Sequence, residues 1–172
     1  LKPLYDVIAT LPGSDGGRQW VLRGNHHDAW VNGADDPISG QAAMLEEARM
    51  LGELHRQGWT PKRTIIYCAW DGEEPGLLGS VEWVEAHVDE LKQHAVAYIN
   101  SDSNERGFLF PGGTQDLQSF ISGVARDVQD PETRLSVFQR AHLAAIAQAT
   151  DAEQRSDLRK RSDLVVHALG DG

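Results

Sequence analysis

Residues 64–80 read TIIYCAWDGEEPGLLGS, and this stretch decides the fold class. Its first seven residues form a continuous apolar run, which is typical of a strand that is covered on both faces of a sheet. Two adjacent glutamates, Glu73 and Glu74, follow the strand at once. The same segment contains the helix breakers Gly72, Pro75 and Gly76. The sequence therefore places paired carboxylates in an irregular loop at the end of a buried strand.

The order of elements around this stretch indicates a layered α/β fold. Helical periodicity runs from about residue 77 to residue 93, and a second short apolar strand, AVAYIN, follows at 95–100. Upstream, residues 5–28 form two strand-like segments around a Pro/Gly/Ser/Asp cluster at 12–17, which predicts a β-hairpin. Strand, helix and strand in succession predict parallel pairing. We expect a mostly parallel mixed sheet, sandwiched between helices and starting with a β-hairpin.

Further helices are indicated by apolar side chains at helical spacing. Ser39 is a predicted N-cap, and the helix that follows is expected to end at Gly58. Its predicted inner face consists of Ala42, Leu45, Ala48, Leu51 and Leu54. Beyond Pro111, two more stripes comprise Leu117, Phe120, Ile121 and Val124, and then Val137, Ala141, Ala144 and Ala145. A strand is expected within LVVHALGDG at 164–172. The length of 172 residues predicts a single domain spanning 1–172.

Composition excludes several classes of function. The net charge of −10 argues against a nucleic-acid partner, because phosphate binding requires a basic face. The short basic run at 159–161 is interpreted as a solvated helix face. Cys68, the single cysteine, lies inside an apolar strand, where a buried thiol is the ordinary interpretation. No apolar stretch approaches the length of a transmembrane helix.

Acidic segments follow each predicted parallel strand. They are GNHHDAW, DGEEPG and SDSNE, and NGADDPISG precedes the helix that starts near Ser39. Each has an ordinary interpretation when taken singly, such as a turn residue or a favourable charge at a helix start. Ligands, however, collect beyond the carboxyl ends of parallel strands, and so many carboxylates at one sheet edge require neutralising cations.

The types of side chain narrow the metal chemistry. Histidine, aspartate and glutamate without a thiolate cluster suit Zn²⁺ in a catalytic site or a related divalent ion. The sequence contains neither HExxH nor GxSxG, which excludes a helix-borne zinc protease and makes a serine hydrolase a poor fit.

Three motifs carry a resemblance to a known family. HHDAWVNGADDPISG, IIYCAWDGEEPGLLGSVEWVE and AVAYINSDS resemble, in order and spacing, the co-catalytic zinc peptidases of the aminopeptidase and glutamate carboxypeptidase II family. The resemblance extends over roughly residues 5–133. It implies two Zn²⁺ ions and the metal ligands His26, Asp36, Glu74 and Asp102, with Asp36 as the bridging carboxylate.

The resemblance also implies roles for neighbouring side chains. Glu73 is similar to the general base, and Asp28 to the carboxylate that orients the imidazole of a ligating histidine. Asp35 and His27 have no ligand role in that pattern. The implied reaction is hydrolysis of a peptide bond near a chain end, with a peptide as substrate.

One part of the family pattern is missing. Relatives of this type supply a fifth ligand from a Tyr-His-Ser segment, which this sequence lacks, and neither His142 nor His167 is a credible substitute. We therefore expect a C-terminally truncated fragment whose sheet is incomplete at its C-terminal end. Partial or absent zinc, very low activity and self-association through exposed apolar surface are the expected consequences.

Several functional alternatives remain open. Residues 58–83 lean toward the glutamate carboxypeptidase branch, but an aminopeptidase of the same family is the alternative. A different class is a non-catalytic peptidase-like binding domain, as in the transferrin receptor. The family resemblance favours, weakly, a location outside the cytoplasm, and it leaves the preferred substrate side chain open.

Overall fold

The computed structural model describes residues 2–167. The chain divides into two compact units, one up to Glu105 and one from Arg106 onward. The single domain spanning 1–172 stays a prediction.

The first unit is built on a four-stranded mixed sheet. Its strands are β1 (Val7–Leu11), β2 (Trp20–His26), β3 (Thr64–Trp70) and β4 (Ala95–Asn100). The order across the sheet is β1-β3-β2-β4. Strand β2 is parallel to both β3 and β4, whereas β1 is antiparallel to β3. The predicted α/β class with a mostly parallel mixed sheet is confirmed.

The predicted β-hairpin is wrong, because β1 and β2 are not neighbours. Strand β3 lies between them and pairs with both. The turn-forming residues bond to the segment that enters β3: Ser14 N–H donates to Pro61 O at 2.8 Å and Asp15 N–H to Lys62 O at 3.0 Å. The apolar strand β3 thereby gains main-chain partners along both edges, which a simple hairpin would not provide.

Helices cover both faces of this sheet. They are α1 (Ile38–Arg56), α2 (Leu78–Ala86) and α3 (Val88–His94). Because side chains alternate along a strand, Cys68 and Tyr67 point to opposite faces. Cys68 belongs to a core against which Trp83 of α2 and Leu91 of α3 pack. On the other face, the Tyr67 hydroxyl donates to Glu47 of α1 at 3.2 Å.

Helix α1 differs from its prediction at its start and in its buried face. Pro37, not Ser39, is the N-cap residue. The Ser39 hydroxyl instead donates to Asp35 O at 2.6 Å and accepts from Asn104 N at 2.7 Å. The buried positions of the helix are Gly40, Gln41 and Met44, whereas Leu45 and Leu54 of the predicted stripe are exposed. The face of α1 that is buried is therefore the one that contacts the sheet, and the spacing of apolar residues did not predict it.

The single helix predicted for about 77–93 is two helices. The chain breaks at His87, whose φ of −115° and ψ of 20° are not helical. Its imidazole Nδ1 lies 2.7 Å from Trp83 O, an oxygen that the His87 main-chain N–H also reaches at 3.1 Å. The ring and the main-chain N–H of His87 thus share one acceptor, the Trp83 oxygen, at the point where the chain changes direction. The strand predicted at 95–100 is confirmed as β4.

The second unit is helical. It comprises a 3₁₀ turn (Gln115–Leu117), α4 (Gln118–Asp127), α5 (Val137–Gln148) and α6 (Ala152–Lys160). Ala125, Ala141 and Leu164 form its buried core. The stripe predicted for α4 is wrong, since Phe120 and Val124 are exposed while Ser122 and Ala125 are buried. The basic run at 159–161 covers the end of α6 and its C-cap residue, and it is exposed, as predicted.

The predicted C-terminal strand is represented by one isolated bridge, between His167 and Gly112. Residues 164–166 form no strand, and the remainder of that prediction, residues 168–172, lies outside the described residues. Within residues 2–167, no helix combines the length and the apolar character needed to cross a membrane.

Candidate metal centre

Three predicted ligands meet at the carboxyl end of the sheet. His26 is the last residue of β2, Asp102 lies two residues beyond β4, and Asp36 lies in the loop before α1. The His26 Nε2 atom is 2.9 Å from Asp102 Oδ1 and 3.1 Å from Asp36 Oδ1. One donor atom from each residue lies within 4.8 Å of the other two. Parallel strands therefore bring side chains separated by up to 76 positions into one group.

The spacing of these donors fits a zinc ion. Zinc–ligand bonds of about 2.0–2.2 Å place two ligand atoms of a tetrahedral site about 3.3 Å apart. The imidazole–carboxylate distances in this group are close to that value. His26 is buried, while Asp36 and Asp102 are half exposed, so a cation has access from the solvent side. An imidazole with two carboxylates is a donor set that suits Zn²⁺.

Asp28 lies behind the His26 imidazole. The His26 Nδ1 atom is 3.1 Å from Asp28 O and 3.3 Å from Asp28 Oδ1. This contact leaves Nε2 directed at the ligand group, which is the orienting arrangement expected for a ligating histidine. The carboxylate also accepts the main-chain N–H groups of Glu73 at 3.0 Å and Glu74 at 3.2 Å. Burial alone would raise the pKa of Asp28, but these amide hydrogen bonds outweigh it and lower the pKa.

Glu73 faces the same group. Its Oε2 atom is 3.9 Å from His26 Nε2, and about a third of its side chain is exposed. Burial raises the pKa of Glu73, and the charges of Asp102, Glu74 and Asp28 raise it further against the opposing effect of His26. The pKa of His26 is also raised: burial lowers it, but the carboxylates of Asp102 and Glu73 have the larger combined effect. A carboxylate with an elevated pKa beside a metal-ligand group is suited to accept a proton.

Glu74 is not part of the three-donor group found among the described residues. Its Oε1 atom accepts a hydrogen bond from the Trp30 main-chain N–H at 3.2 Å. Paired metal ions lie about 3.5–4 Å apart, so a ligand of the second ion need not approach the first ion's histidine. The ligand role of Glu74 stays a prediction.

Asp35 and three further histidines, which the sequence analysis set aside as ligands, have other contacts. His27 Nε2 lies 3.1 Å from Tyr5 O, so this ring anchors the segment before β1. The Asp35 main-chain oxygen accepts from Ser39. In the second unit, His142 stacks on Phe138 and His167 on Phe110. The expectation that none of them is a ligand stays a prediction.

Sequence reasoning missed Asn25, which is fully buried. Its side-chain amide donates to Pro37 O at 3.0 Å and to Asp102 O at 3.3 Å. Its Oδ1 atom accepts the His26 main-chain N–H at 2.8 Å. The available signal was the polar side chains of Arg23 and Asn25, which follow the apolar start of the strand WVLRGNH. A buried polar side chain requires partners, and here the partners are the ligand segments.

Arg23 is the second missed residue, and it is also buried. Its guanidinium donates to Ser101 Oγ at 2.7 Å and to Glu47 Oε2 at 3.1 Å. It thus connects β2 with α1 and with the segment that leads to Asp102.

An apolar cavity of about 860 Å³ adjoins the ligand group. His26, Glu73 and Asp102 lie along its lining. Its apolar lining includes Trp70, Leu77, Trp83, Val84, Val96 and Tyr98. The side chains of His26, Glu73 and Asp102 therefore border a mainly apolar cavity.

Comparison with known sequences identifies relatives with named activities. The chain is 44% identical over 130 residues to the probable glutamate carboxypeptidase VP8 of Zea mays, covering 75% of this chain and 18% of that protein. It is 44% identical over 146 residues to the probable glutamate carboxypeptidase LAMP1 of Arabidopsis thaliana, covering 84% and 21%. Aminopeptidase NAALADL1 of Mus musculus is 38% identical over 142 residues, covering 80% and 19%. The chain thus spans about a fifth of the length of these relatives.

Solved structures show the same fold. A peptidase M28 precursor from Shewanella amazonensis matches with a TM-score of 0.56 at 30% identity, over 70% of this chain and 27% of that one. LapA from Legionella matches with a TM-score of 0.54 at 21% identity, over 76% and 37%, and this likeness concerns the fold alone. The sequence model of peptidase family M28 matches residues 6–167. Together with the ligand group at the end of the sheet, this match shows that the chain belongs to peptidase family M28.

Proposed function

We propose that this chain carries the metal-binding part of a zinc-dependent exopeptidase that hydrolyses terminal peptide bonds, of the glutamate carboxypeptidase type. The observation that carries the proposal is the position of Glu73, whose carboxylate lies 3.9 Å from the imidazole of a three-donor metal-ligand group. A base beside a cation site is the arrangement that metal-assisted hydrolysis requires.

The proposed roles divide among the residues of the sheet edge. His26, Asp36 and Asp102 would hold zinc, and Glu74 would contribute a carboxylate to a second ion. When bound, the ions supply Lewis acidity for the scissile carbonyl and for the attacking water. Asp28 holds the imidazole so that Nε2 points at the site.

Glu73 is the proposed proton carrier. Its carboxylate accepts a proton from the water whose oxygen bonds to the scissile carbonyl carbon. It then delivers that proton to the nitrogen as the C–N bond breaks, which leaves a carboxylate and an amine as products. A positioned acid–base group of this kind contributes about 10²–10⁴ in rate.

The main test replaces Glu73 by glutamine in the longer protein that we propose as the parent. We expect turnover to fall by about 10²–10⁴ while the zinc content stays the same, because glutamine retains the shape but accepts no proton. Glu82→Gln is the matched control, since Glu82 is an exposed residue of α2. Full turnover in the Glu73 variant would remove the basis of the proposal.

The direction of cleavage is part of the proposal. The similarity to proteins named glutamate carboxypeptidase, at 43–48% identity in the plant and fungal relatives, favours a carboxypeptidase. The alternative is an aminopeptidase, as named for the relative at 38% identity. Peptides blocked at the N-terminus remain substrates of a carboxypeptidase, and peptides blocked at the C-terminus remain substrates of an aminopeptidase.

For the isolated 172-residue chain we propose weak zinc binding and very low activity, because it supplies four of the five expected ligands. A non-catalytic binding domain is the alternative of a different class. The parent protein distinguishes the two functions. An exopeptidase binds zinc and loses turnover when Glu73 is replaced, whereas a non-catalytic binding domain has no turnover to lose.

We also propose that isolated copies associate through β4. Val96, Tyr98 and Ile99 of this strand are exposed, and β4 forms one edge of the sheet. An exposed apolar edge strand is prone to pair with another chain. Sedimentation at increasing concentration tests this, and a monomer throughout contradicts it.

A further inference from the structure

We infer that Asn25 is a positioning residue of the metal centre: its buried side-chain amide holds the main chain of the three donor segments together before a cation binds. The role as a metal centre rests on the proposed function, whereas the hydrogen bonds themselves do not.

The geometry connects one side chain to every donor segment. Asn25 Oδ1 accepts from the main-chain N–H of His26, the imidazole donor. Asn25 Nδ2 donates to the main-chain oxygen of Pro37, the neighbour of Asp36, and to the main-chain oxygen of Asp102. Three segments that are far apart in sequence thus share one amide.

These bonds are strong constraints because Asn25 is fully buried. A buried amide gains no replacement partner from water, so breaking its hydrogen bonds costs more than at the surface. Among the described residues, the bond from Asn25 is the only hydrogen bond that reaches Asp102 O. Without it, the Asp102 main chain loses its hydrogen bond to the side chain of Asn25 in β2, and the Asp102 carboxylate gains freedom that a bound cation must remove.

Replacement of Asn25 by aspartate distinguishes a positioning role from an electrostatic one, because the two roles predict opposite changes in Zn²⁺ affinity. The variant adds a negative charge close to the donors, and charge alone would tighten the binding of a cation. A carboxylate cannot donate, however, and its oxygen would face the main-chain oxygens of Pro37 and Asp102. If Asn25 positions the site, Zn²⁺ therefore binds more weakly.

Asn100→Asp is the matched control. Asn100 ends β4, is exposed, and its Oδ1 accepts from the Tyr98 hydroxyl at 2.8 Å. An aspartate keeps this acceptor and adds the same charge to the same end of the sheet. We expect this variant to bind Zn²⁺ as tightly as the unmodified chain, or more tightly.

The affinity test titrates Zn²⁺ into the 172-residue chain against a chromophoric chelator. We expect Asn25→Asp and Asn25→Ala to raise the dissociation constant about 10–100-fold, the usual effect of losing a partner that orients a ligand. Unchanged or tighter binding in Asn25→Asp overturns the inference. If both Asn25 variants are unfolded at 25 °C even with Zn²⁺, as judged by circular dichroism, Asn25 supports the fold as a whole and the inference is also overturned.

A second measurement needs no metal. In a ¹H–¹⁵N spectrum, the two side-chain amide protons of Asn25, assigned by their loss in Asn25→Asp, are expected to persist after transfer to D₂O. Immediate exchange means that the bonds to Pro37 and Asp102 are not held, and it overturns the inference.

The two measurements also separate this inference from the proposed function. Protected amide protons in a chain that takes up no zinc leave the hydrogen-bonded brace intact but remove its metal-site role, together with the weak zinc binding proposed for the isolated chain. Zinc binding that depends on Asn25, combined with turnover that does not depend on Glu73, contradicts the proposed function alone.

Discussion

Gly40 packs directly against the main-chain oxygen of Asp102, which occupies the space that a Cβ atom at position 40 would need. The first turn of α1 therefore approaches the segment after β4 without an intervening side chain. Since Asp102 is a proposed metal ligand, its position depends on the absence of a side chain on the neighbouring helix.

Replacing Gly40 by alanine should lower the free energy of unfolding by about 1–3 kcal/mol, the usual cost of overpacking a buried contact. The same change should weaken Zn²⁺ binding, because the added methyl group displaces the Asp102 segment. Urea denaturation and zinc titration measure the two effects.

Gly52→Ala is the control in the same helix: its added Cβ meets only Arg56 Nη1, at 3.8 Å. This control should gain up to about 1 kcal/mol from helix propensity. Equal stability of the two variants would contradict the packing argument.

Replacing Asp102 by asparagine should weaken Zn²⁺ binding by more than about tenfold. Losing a residue that only orients a ligand costs roughly that much, and Asp102 is proposed as a ligand itself. The neutral amide retains the shape but loses the charge and half of the donor oxygens. Chelator competition measures the change. Asp35→Asn serves as the control beside Asp36, since Asp35 lies outside the donor group. If both variants bind alike, general charge rather than ligation holds the cation.

Cys68 should not react with a thiol reagent while the chain is folded. It is fully buried, and burial raises the pKa of its thiol to about 12. The reactive thiolate is therefore nearly absent at neutral pH, and access is blocked as well. Ellman's reagent should give no rapid colour with the native chain and one thiol per chain in guanidinium. Rapid reaction of the native chain would mean that β3 opens readily.

Asp130 should contribute stability that is lost in acid. The hydrogen bond from Arg140 lowers the pKa of Asp130 to about 2, and bonds from Thr133 and Glu132 add to the effect. In the unfolded chain an aspartate titrates near about 3.9. Because the folded-state pKa is the lower one, the contribution is complete above about pH 4 and disappears as the pH falls from about 4 to about 2.

The test compares Asp130→Asn with the unmodified chain in urea at several pH values. The variant should be less stable at pH 7, and the difference should shrink steadily below about pH 4. Asp116→Asn, at an exposed position, should show no comparable trend. A difference that is constant with pH would show that shape, not ionisation, is responsible.

Much of the site was predictable because chemistry-bearing residues follow predicted strands. His26, Asp36 and Asp102 were expected to meet at one sheet edge, and the structure brings them within 4.8 Å of one another. The rule that ligands collect at the carboxyl ends of parallel strands predicted the shared edge, whereas the choice of these three residues as ligands came from the family resemblance. The contribution of Asn25 was not predictable, since one asparagine in a strand does not reveal which main-chain groups it will meet.

The amino-acid sequence by itself determined the four strands of the first unit, the α/β class and the residues available as ligands, because periodicity and side-chain chemistry are local properties. Only the tertiary structure decided that β3 lies between β1 and β2, which face of α1 is buried, and that one amide connects three donor segments. The physical reason is that nearly every residue carries the same main-chain N–H donor and C=O acceptor, so these groups do not encode their own partners. Which strands pair, and which buried side chain reaches which carbonyl, follows from how the whole chain packs.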